Sequence, residues 1–233
     1  MSKTQIPTGG IADDAISEEH LDATAITGTT ALAATPDATD EILISDGGTL
    51  KRLDFSHLNN SGWVKVHSIT ASDDATINFD NNYLTTTYKT YMFVVEGLNN
   101  ATDGQQFRMQ VSVDNGSSFL SGISKVQFLS EDDDSGITLA LSDEGASHMD
   151  VGQTSKGNAT GESTGATIWI WGSQDSNSWI NVNSHCTSWG NSMELTYETS
   201  GFGARSTSNL NYVRFNMASG NITSGTFTLY GVG

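Results

Sequence analysis

One cysteine, two prolines and ten basic residues in 233 positions are the scarce elements of this sequence. With Cys186 alone, no internal disulfide and no thiolate metal cluster can form, and the residue is expected to be a half-buried small hydrophobe. Set against 27 acidic residues, the shortage of Lys and Arg leaves a formal charge of −17, which repels a phosphate backbone instead of releasing its counterions. Nucleic acid and anionic membrane surfaces are therefore disfavoured as partners. No window approaches eighteen apolar residues, so no membrane insertion is expected. The opening MSKTQIPTGG lacks the apolar centre of a signal peptide, and the expectation is a protein made in a cytoplasm even if it works elsewhere.

What is abundant is Gly, at 24 residues, together with Thr, Ser and Asn, the balance of short strands joined by tight turns. The 36% apolar content suffices for a core in part of the chain. Residues 8–36 carry isolated apolar side chains too widely spaced for a useful amphipathic helix. Their best local signal is Ser17-Glu18-Glu19, a cap followed by acids, which predicts a short helical turn over 17–22. Then comes DEILISDGGTLKRLDFSHL, whose two arms pivot on Asp46-Gly47-Gly48 and predict a β-hairpin over 41–55. A lone hairpin is marginal in water, so this one must pair or pack with something.

From residue 61 onward the chain reads as many short strands bounded by turn residues: 63–70, 76–79, 88–98, 106–114, 125–129, 136–141, 166–172, 179–185, 193–198, 212–217 and 226–232. Their number and spacing predict an all-β, antiparallel, jelly-roll-type sandwich over 61–233, preceded by an extended N-terminal segment with its hairpin over 1–60. The polar stretch 142–164 reads as a long loop or flap.

Two segments, YKTYMFVVEGLNNATDGQQFRMQVSVDNGSSFLSG and YVRFNMASGNITSGTFTLYGVG, resemble the jelly-roll module found at the ends of many bacteriophage structural proteins, particularly tail-fibre-like and other virion-surface proteins. The front pieces TGGIADDAISEEHL and TALAATPDATDEILISDGGTLKRLDFSHL resemble short trimerising and attachment segments of the same proteins. Together they cover 100 of the 233 residues. The resemblance implies a virion location, a homotrimer without cofactor, attachment to other virion proteins through the N-terminal segment, and a role in adhesion or capsid decoration. Ile42, Ile44, Leu50, Lys51, Arg52, Leu53 and Phe55 are then the candidate trimerisation and attachment residues, with Lys51 and Arg52 expected to pair with acids of a neighbouring chain.

For chemistry, the most informative stretch is ATIWIWGSQDSNSWINVNSH. A hairpin centred on Asp175 sets Ile170 against Ile180 and Ile168 against Val182 on one face, and Trp171 against Trp179 and Trp169 against Asn181 on the other, with Asn183 alongside. The aliphatic face is the natural core. The face of Trp169, Trp171, Trp179, Asn181 and Asn183 has two readings: a subunit interface or local packing, or a platform whose indoles stack on the sugars of host surface polysaccharide. GESTG at 161–165 satisfies a nucleophile-elbow pattern, but a polar loop precedes Ser163 and a strand follows it, the inverse of the context that the chemistry needs. The five histidines show no triad spacing, and SEDDDSG at 130–136 lacks the ligand alternation of a calcium loop, so no catalytic residue and no metal site is assigned.

Overall fold

The computed structural model describes residues 36–37, 39–58, 62–131, 137–152, 156–190 and 194–232, with the side chains of residues 50, 131 and 137–145 outside the description. The helical turn expected at 17–22, the front of the attachment segment and the acidic run after Glu131 lie outside the described residues. The chain divides into two compact units, 1–60 and 61–233.

In the first unit, strands β1 (Glu41–Asp46) and β2 (Thr49–Asp54) form an antiparallel hairpin followed by a single 3-10 turn, Phe55–His57. The two-residue loop holds Gly47 at φ +59° and Gly48 at φ +82°. Two consecutive positive φ values define the turn whose twist matches that of the strands, and glycine reaches them without a Cβ clash. None of the described hairpin residues is buried, and Ile42 and Leu43 are exposed. Ile42 faces Leu53 across the ladder and Ile44 faces Lys51, while Leu50 is described only by its place in β2. Lys51 and Arg52 pair within their own hairpin, Lys51 with Asp46 at 2.5 Å and Arg52 with Glu41 at 3.0 Å, where sequence reasoning sends them to a neighbouring chain. The two-residue turn places each cation within reach of an acid on the opposite arm. Such exposed pairs contribute about 1 kcal/mol at most.

The second unit contains β3 (Trp63–Asp74), β4 (Ile77–Phe79), β5 (Thr90–Asn100), β6 (Phe107–Ser112), β7 (Ile123–Glu131), β8 (Ile137–Ala146), β9 (Met149–Asp150), β10 (Thr164–Trp171), β11 (Ile180–Trp189), β12 (Leu195–Ala204), β13 (Tyr212–Met217) and β14 (Ile222–Val232). Eight of these strands form a jelly roll. Taken in chain order as β3, β4, β5, β6, β9, β10, β13 and β14, the first pairs with the last, the second with the seventh, the third with the sixth and the fourth with the fifth, all antiparallel. This is a long hairpin wound into two sheets. The pairs β7–β8 and β11–β12 are inserted into that winding. They extend one sheet to the order β3-β14-β5-β10-β11-β12-β7-β8, opposite the four-stranded sheet β4-β13-β6-β9.

The core lies between the sheets. Phe79, Phe93, Phe107, Phe215 and Phe227 pack edge-on or stacked, with Phe79 and Phe93 centroids 4.9 Å apart and Phe93 and Phe215 centroids 5.0 Å apart. Ile168, Ile170, Ile180, Val182 and Phe202 continue this layer along β10 to β12. Further along the same strands the inward positions become polar: Ser184 and Ser188 on β11, Thr196, Glu198 and Ser200 on β12, and Gln127 on β7 are all buried.

Their cover is the segment expected as a long loop or flap at 142–164. It instead completes β8, forms β9 and carries the fully buried Lys156. Gln127 donates to the Asp150 carbonyl at 3.0 Å and to Ser200 at 3.1 Å, and Ser184 donates to the Val151 carbonyl at 3.4 Å. Lys156 Nζ donates to Ser188 Oγ at 3.0 Å and forms an ion pair with Glu198, while Ser188 and Thr196 share a hydrogen bond of 2.8 Å. The Lys156 backbone is tied as well, its N–H to the Gln105 carbonyl at 2.9 Å and its carbonyl to the Gly104 N–H at 3.1 Å. A Cβ at Gly152 would come within 2.6 Å of Lys156 Nζ, so the strap can approach the pair only through glycine. The segment is polar because it faces a polar surface; sequence alternation cannot distinguish that from facing water. At its other end Asp150 accepts from Arg108 at 3.1 Å and Lys125 at 3.3 Å. Burial, together with the two neighbouring cations, holds the His148 imidazole below its usual range despite Asp150.

Cys186 sits directly across from Glu198 and is fully buried, not half-buried as expected. Burial pushes its thiol up to about 11. Since the folded state keeps the proton that the unfolded chain releases near 9.0, this group's contribution to stability is lost as the pH rises from there through about 11. Equilibrium denaturation across that window should therefore show a decline that is shallower in Cys186→Ala, and native protein at pH 8 should not react with a thiol reagent.

Removing one partner of the ion pair leaves a buried charge uncompensated. Lys156→Met alone should cost about 3–5 kcal/mol in urea denaturation, whereas Lys156→Met with Glu198→Leu should recover most of that loss.

Candidate functional site

The outer face of the eight-stranded sheet carries the chemistry that the inner face cannot. Strand register places its side chains in rows. One row runs Lys65, Tyr230, Met92, Trp169, Asn183, Gly201, Val126 across β3, β14, β5, β10, β11, β12 and β7. The row beyond it, at the end of the sheet, pairs Trp63 with Val232, Val232 with Thr90, Trp171 with Asn181, Asn181 with Gly203, and Gly203 with Ser124.

Trp169 and Trp171 are two residues apart on β10 and so share this face. Their rings lie parallel, at an interplanar angle of 4° with centroids 6.0 Å apart. Trp63 meets Trp169 edge-on at 5.1 Å and lies 6.5 Å from Tyr230. These aromatics explain why Met92, an outer-face residue between Tyr230 and Trp169, is buried. Trp171 keeps 41% of its surface open. Beside the indoles stand Asn181 and Asn183, and beyond those the two glycines of β12 leave a trough lined by Asn181, Gly201, Gly203, Ser124 and Val126. A Cβ at Gly203 would meet nothing within 4 Å, and at Gly201 only the Val126 carbonyl oxygen, at 4.0 Å. The trough is thus open space kept by missing side chains. Asn181 borders it on the side toward Trp171, its ladder partner, and Val126 on the far side.

The expected pairing within this hairpin is displaced. Trp171 faces Asn181 and Trp169 faces Asn183, while Ile170 faces Val182 and Ile168 faces Ser184. The pivot lies one residue later than Asp175. Gly172 turns the chain at φ +68°, and Asp175 then begins a second tight turn, accepting from the Asn177 N–H and from Ser178 Oγ, each at 2.9 Å. Moving a pivot by one residue moves every partner by two, which preserves the faces while changing the neighbours. Trp179 consequently lies outside the ladder, before β11, where the Arg205 guanidinium stands 5.8 Å from its ring. Asn181 donates to the Trp179 carbonyl at 2.9 Å. Of the five residues expected on this face, Trp169, Trp171, Asn181 and Asn183 are brought together and Trp179 stands at their margin.

Sequence reasoning missed Trp63, Tyr230, Gly201 and Gly203. Alternation around each would have assigned it a face, but only the strand order brings β3, β14 and β12 to this hairpin.

A second apolar area lies further along the same face, where Phe128, Tyr197 and Thr199 line a shallow depression. Val126, Phe128, Leu195 and Tyr197 are all exposed there. Their inward neighbours Gln127, Thr196 and Glu198 are the buried polar residues under the strap, so the usual orientation of alternation is reversed on β7 and β12. His185 joins this area through a ring stacked on Tyr197 and a 3.1 Å hydrogen bond to its hydroxyl.

Ser163 of GESTG precedes β10 and has no following helix. Among the described residues, no group of three or more His, Cys, Asp or Glu side chains is placed to hold a metal ion, and no helix is long and apolar enough to cross a membrane. In comparisons with known proteins, no family model, curated protein or solved structure matches the chain.

Proposed function

We propose that this chain is a non-enzymatic bacteriophage virion protein, a tail-fibre-like adhesin that contacts host surface glycan through the outer face of its wide sheet. The observation that carries the reading is the parallel indole pair of half-buried Trp169 and exposed Trp171, with Asn183 and Asn181 across the ladder from them and the double-glycine trough beyond. A pyranose ring is flat and apolar on one face and ringed by hydroxyls. It can stack on an indole while the amides donate to and accept from its rim. The front unit supplies attachment to other virion proteins, and the exposed hairpin, with no described residue buried, is suited to completion by other chains in a homotrimer.

Glycan-array screening followed by titration tests the platform. Trp171→Ala should weaken binding by about 2 kcal/mol, roughly 30-fold. Gly203→Val should fill the trough and abolish binding while leaving the melting temperature within a few degrees, because its Cβ has room and valine suits a strand. Normal host adsorption by particles carrying both substitutions would refute the reading.

The apolar area around Val126, Phe128, Leu195 and Tyr197 favours a second reading, in which this part of the face is buried between subunits of a capsid decoration protein or head fibre. Copy number separates the two: a few trimers at the tail support the adhesin, and many copies over the head support decoration. In either case, deleting residues 1–58 should leave a folded sandwich that no longer joins particles. Sedimentation and particle reconstitution read both effects.

A further inference from the structure

The distribution of positive charge narrows the class of saccharide. All seven Lys and Arg residues from position 61 onward are described, and only Lys65, Lys89 and Arg205 are exposed. Of the other four, Lys156 is buried against Glu198, and three are half-buried: Arg108 and Lys125 bind Asp150, and Arg214 lies 4.3 Å over the Phe119 ring while donating to Asn78 at 3.2 Å.

The three exposed cations lie toward one end of the sheet, Lys65 within β3 and Lys89 and Arg205 in the segments flanking β5 and β12. Lys65 stands in the row of Tyr230 and Trp169, two residues from Trp63 on β3. Lys89 immediately precedes Thr90, which faces Val232 at the end of β14. Hydrogen bonds from Asn177 and Ser178 hold the nearby Asp175 carboxyl below its usual range, with Lys89 adding the smallest contribution. Arg205 follows Ala204, the partner of Ile180, and lies against Trp179. From β3 to β7 the two rows at this end contain no carboxylate, whereas Glu96, opposite Thr226, marks the far part of the face. Asp80, Asp114 and Asp175 occupy loops at this end, and each accepts hydrogen bonds from its own turn, from Asn82, from Ser112 and Ser118, and from Asn177 and Ser178. Lys65 is the one charged side chain within the two rows, and its attraction is retained within about a Debye length, roughly 8 Å at physiological salt.

We propose that the platform takes an acidic saccharide, with a sugar ring on the Trp169 and Trp171 indoles and its carboxylate or phosphate directed to the rim of Lys65, Lys89 and Arg205. The proposal rests on the glycan reading above and specifies its ligand.

Three probes test it with the full chain: an oligogalacturonate for carboxylate, poly(glycerol phosphate) carrying glucosyl groups for phosphate, and maltoheptaose as the neutral reference. At least one acidic probe should bind roughly tenfold or more tighter than maltoheptaose at low salt, and its affinity should fall as NaCl rises from about 50 to about 500 mM. The tighter of the two identifies the anionic group. Lys65→Gln with Lys89→Gln should lower acidic-probe affinity about fivefold or more while maltoheptaose binding is unchanged. If maltoheptaose binds as tightly as both acidic probes, the acidic ligand is refuted and the glycan platform stands. If neither these probes nor any glycan on the array binds, both fall together.

Discussion

Covering half of an overwide sheet is the constraint on which the rest of this molecule depends. The jelly-roll winding supplies four strands to each sheet, but the inserted β7–β8 and β11–β12 hairpins widen one sheet to eight while its partner remains at four. The excess inner surface must be shielded, and the strap from β9 to β10 does so with backbone carbonyls, Asp150 and Lys156 instead of with a hydrophobic layer. Backbone groups cannot be buried without partners, so a surface covered by a strap has to be polar. Ser184, Ser188, Thr196, Glu198, Ser200 and Gln127 are that surface. The Lys156–Glu198 pair closes it, for neither charge could remain there without the other.

This solution propagates to the opposite face. On β7 and β12 the inward positions are taken by polar residues, and the apolar residues of the same strands, Val126, Phe128, Leu195 and Tyr197, therefore point outward. On β10 and β11 the inner face stays aliphatic near the jelly-roll core, so the tryptophans are outward by ordinary alternation. The two causes converge on a single outer face that is aromatic from β3 to β12. The missing side chains of Gly201 and Gly203 then create relief on what would otherwise be a flat sheet. Relief is what a small ligand requires, because a flat surface buries too little of it. The outer face thus owes its character partly to how the inner face was sealed.

Much of this was legible in the residues themselves. The Asp46-Gly47-Gly48 turn, the run of short strands after residue 61 and the outward parity of Trp169 and Trp171 all follow from interactions between residues close in the chain. Parity in particular survives error: a pivot set one residue early changes every partner, yet Trp169, Trp171, Asn181 and Asn183 keep their face. What failed were inferences about what a polar residue faces. The stretch 142–164 reads as a long loop or flap because it is polar and lacks apolar periodicity, yet its Asp150, Lys156 and Glu162 are buried. Lys51 and Arg52, candidates for pairing with a neighbouring chain, also find acids on the opposite arm of their own hairpin.

The sequence by itself determined much of the local geometry: roughly where most strands lie, the glycine turn of the first hairpin, and which side chains of a strand share a face. These depend on steric limits and on the two-residue period of an extended chain, which act over a few positions. Only the tertiary structure decided which strands became neighbours. Trp63, Met92, Trp169, Asn183 and Gly201 come from five separate strands, and Lys65, Lys89 and Arg205 from three distant positions. Their assembly into one surface follows from the jelly-roll winding and its two inserted hairpins, a long-range arrangement that no local pattern records.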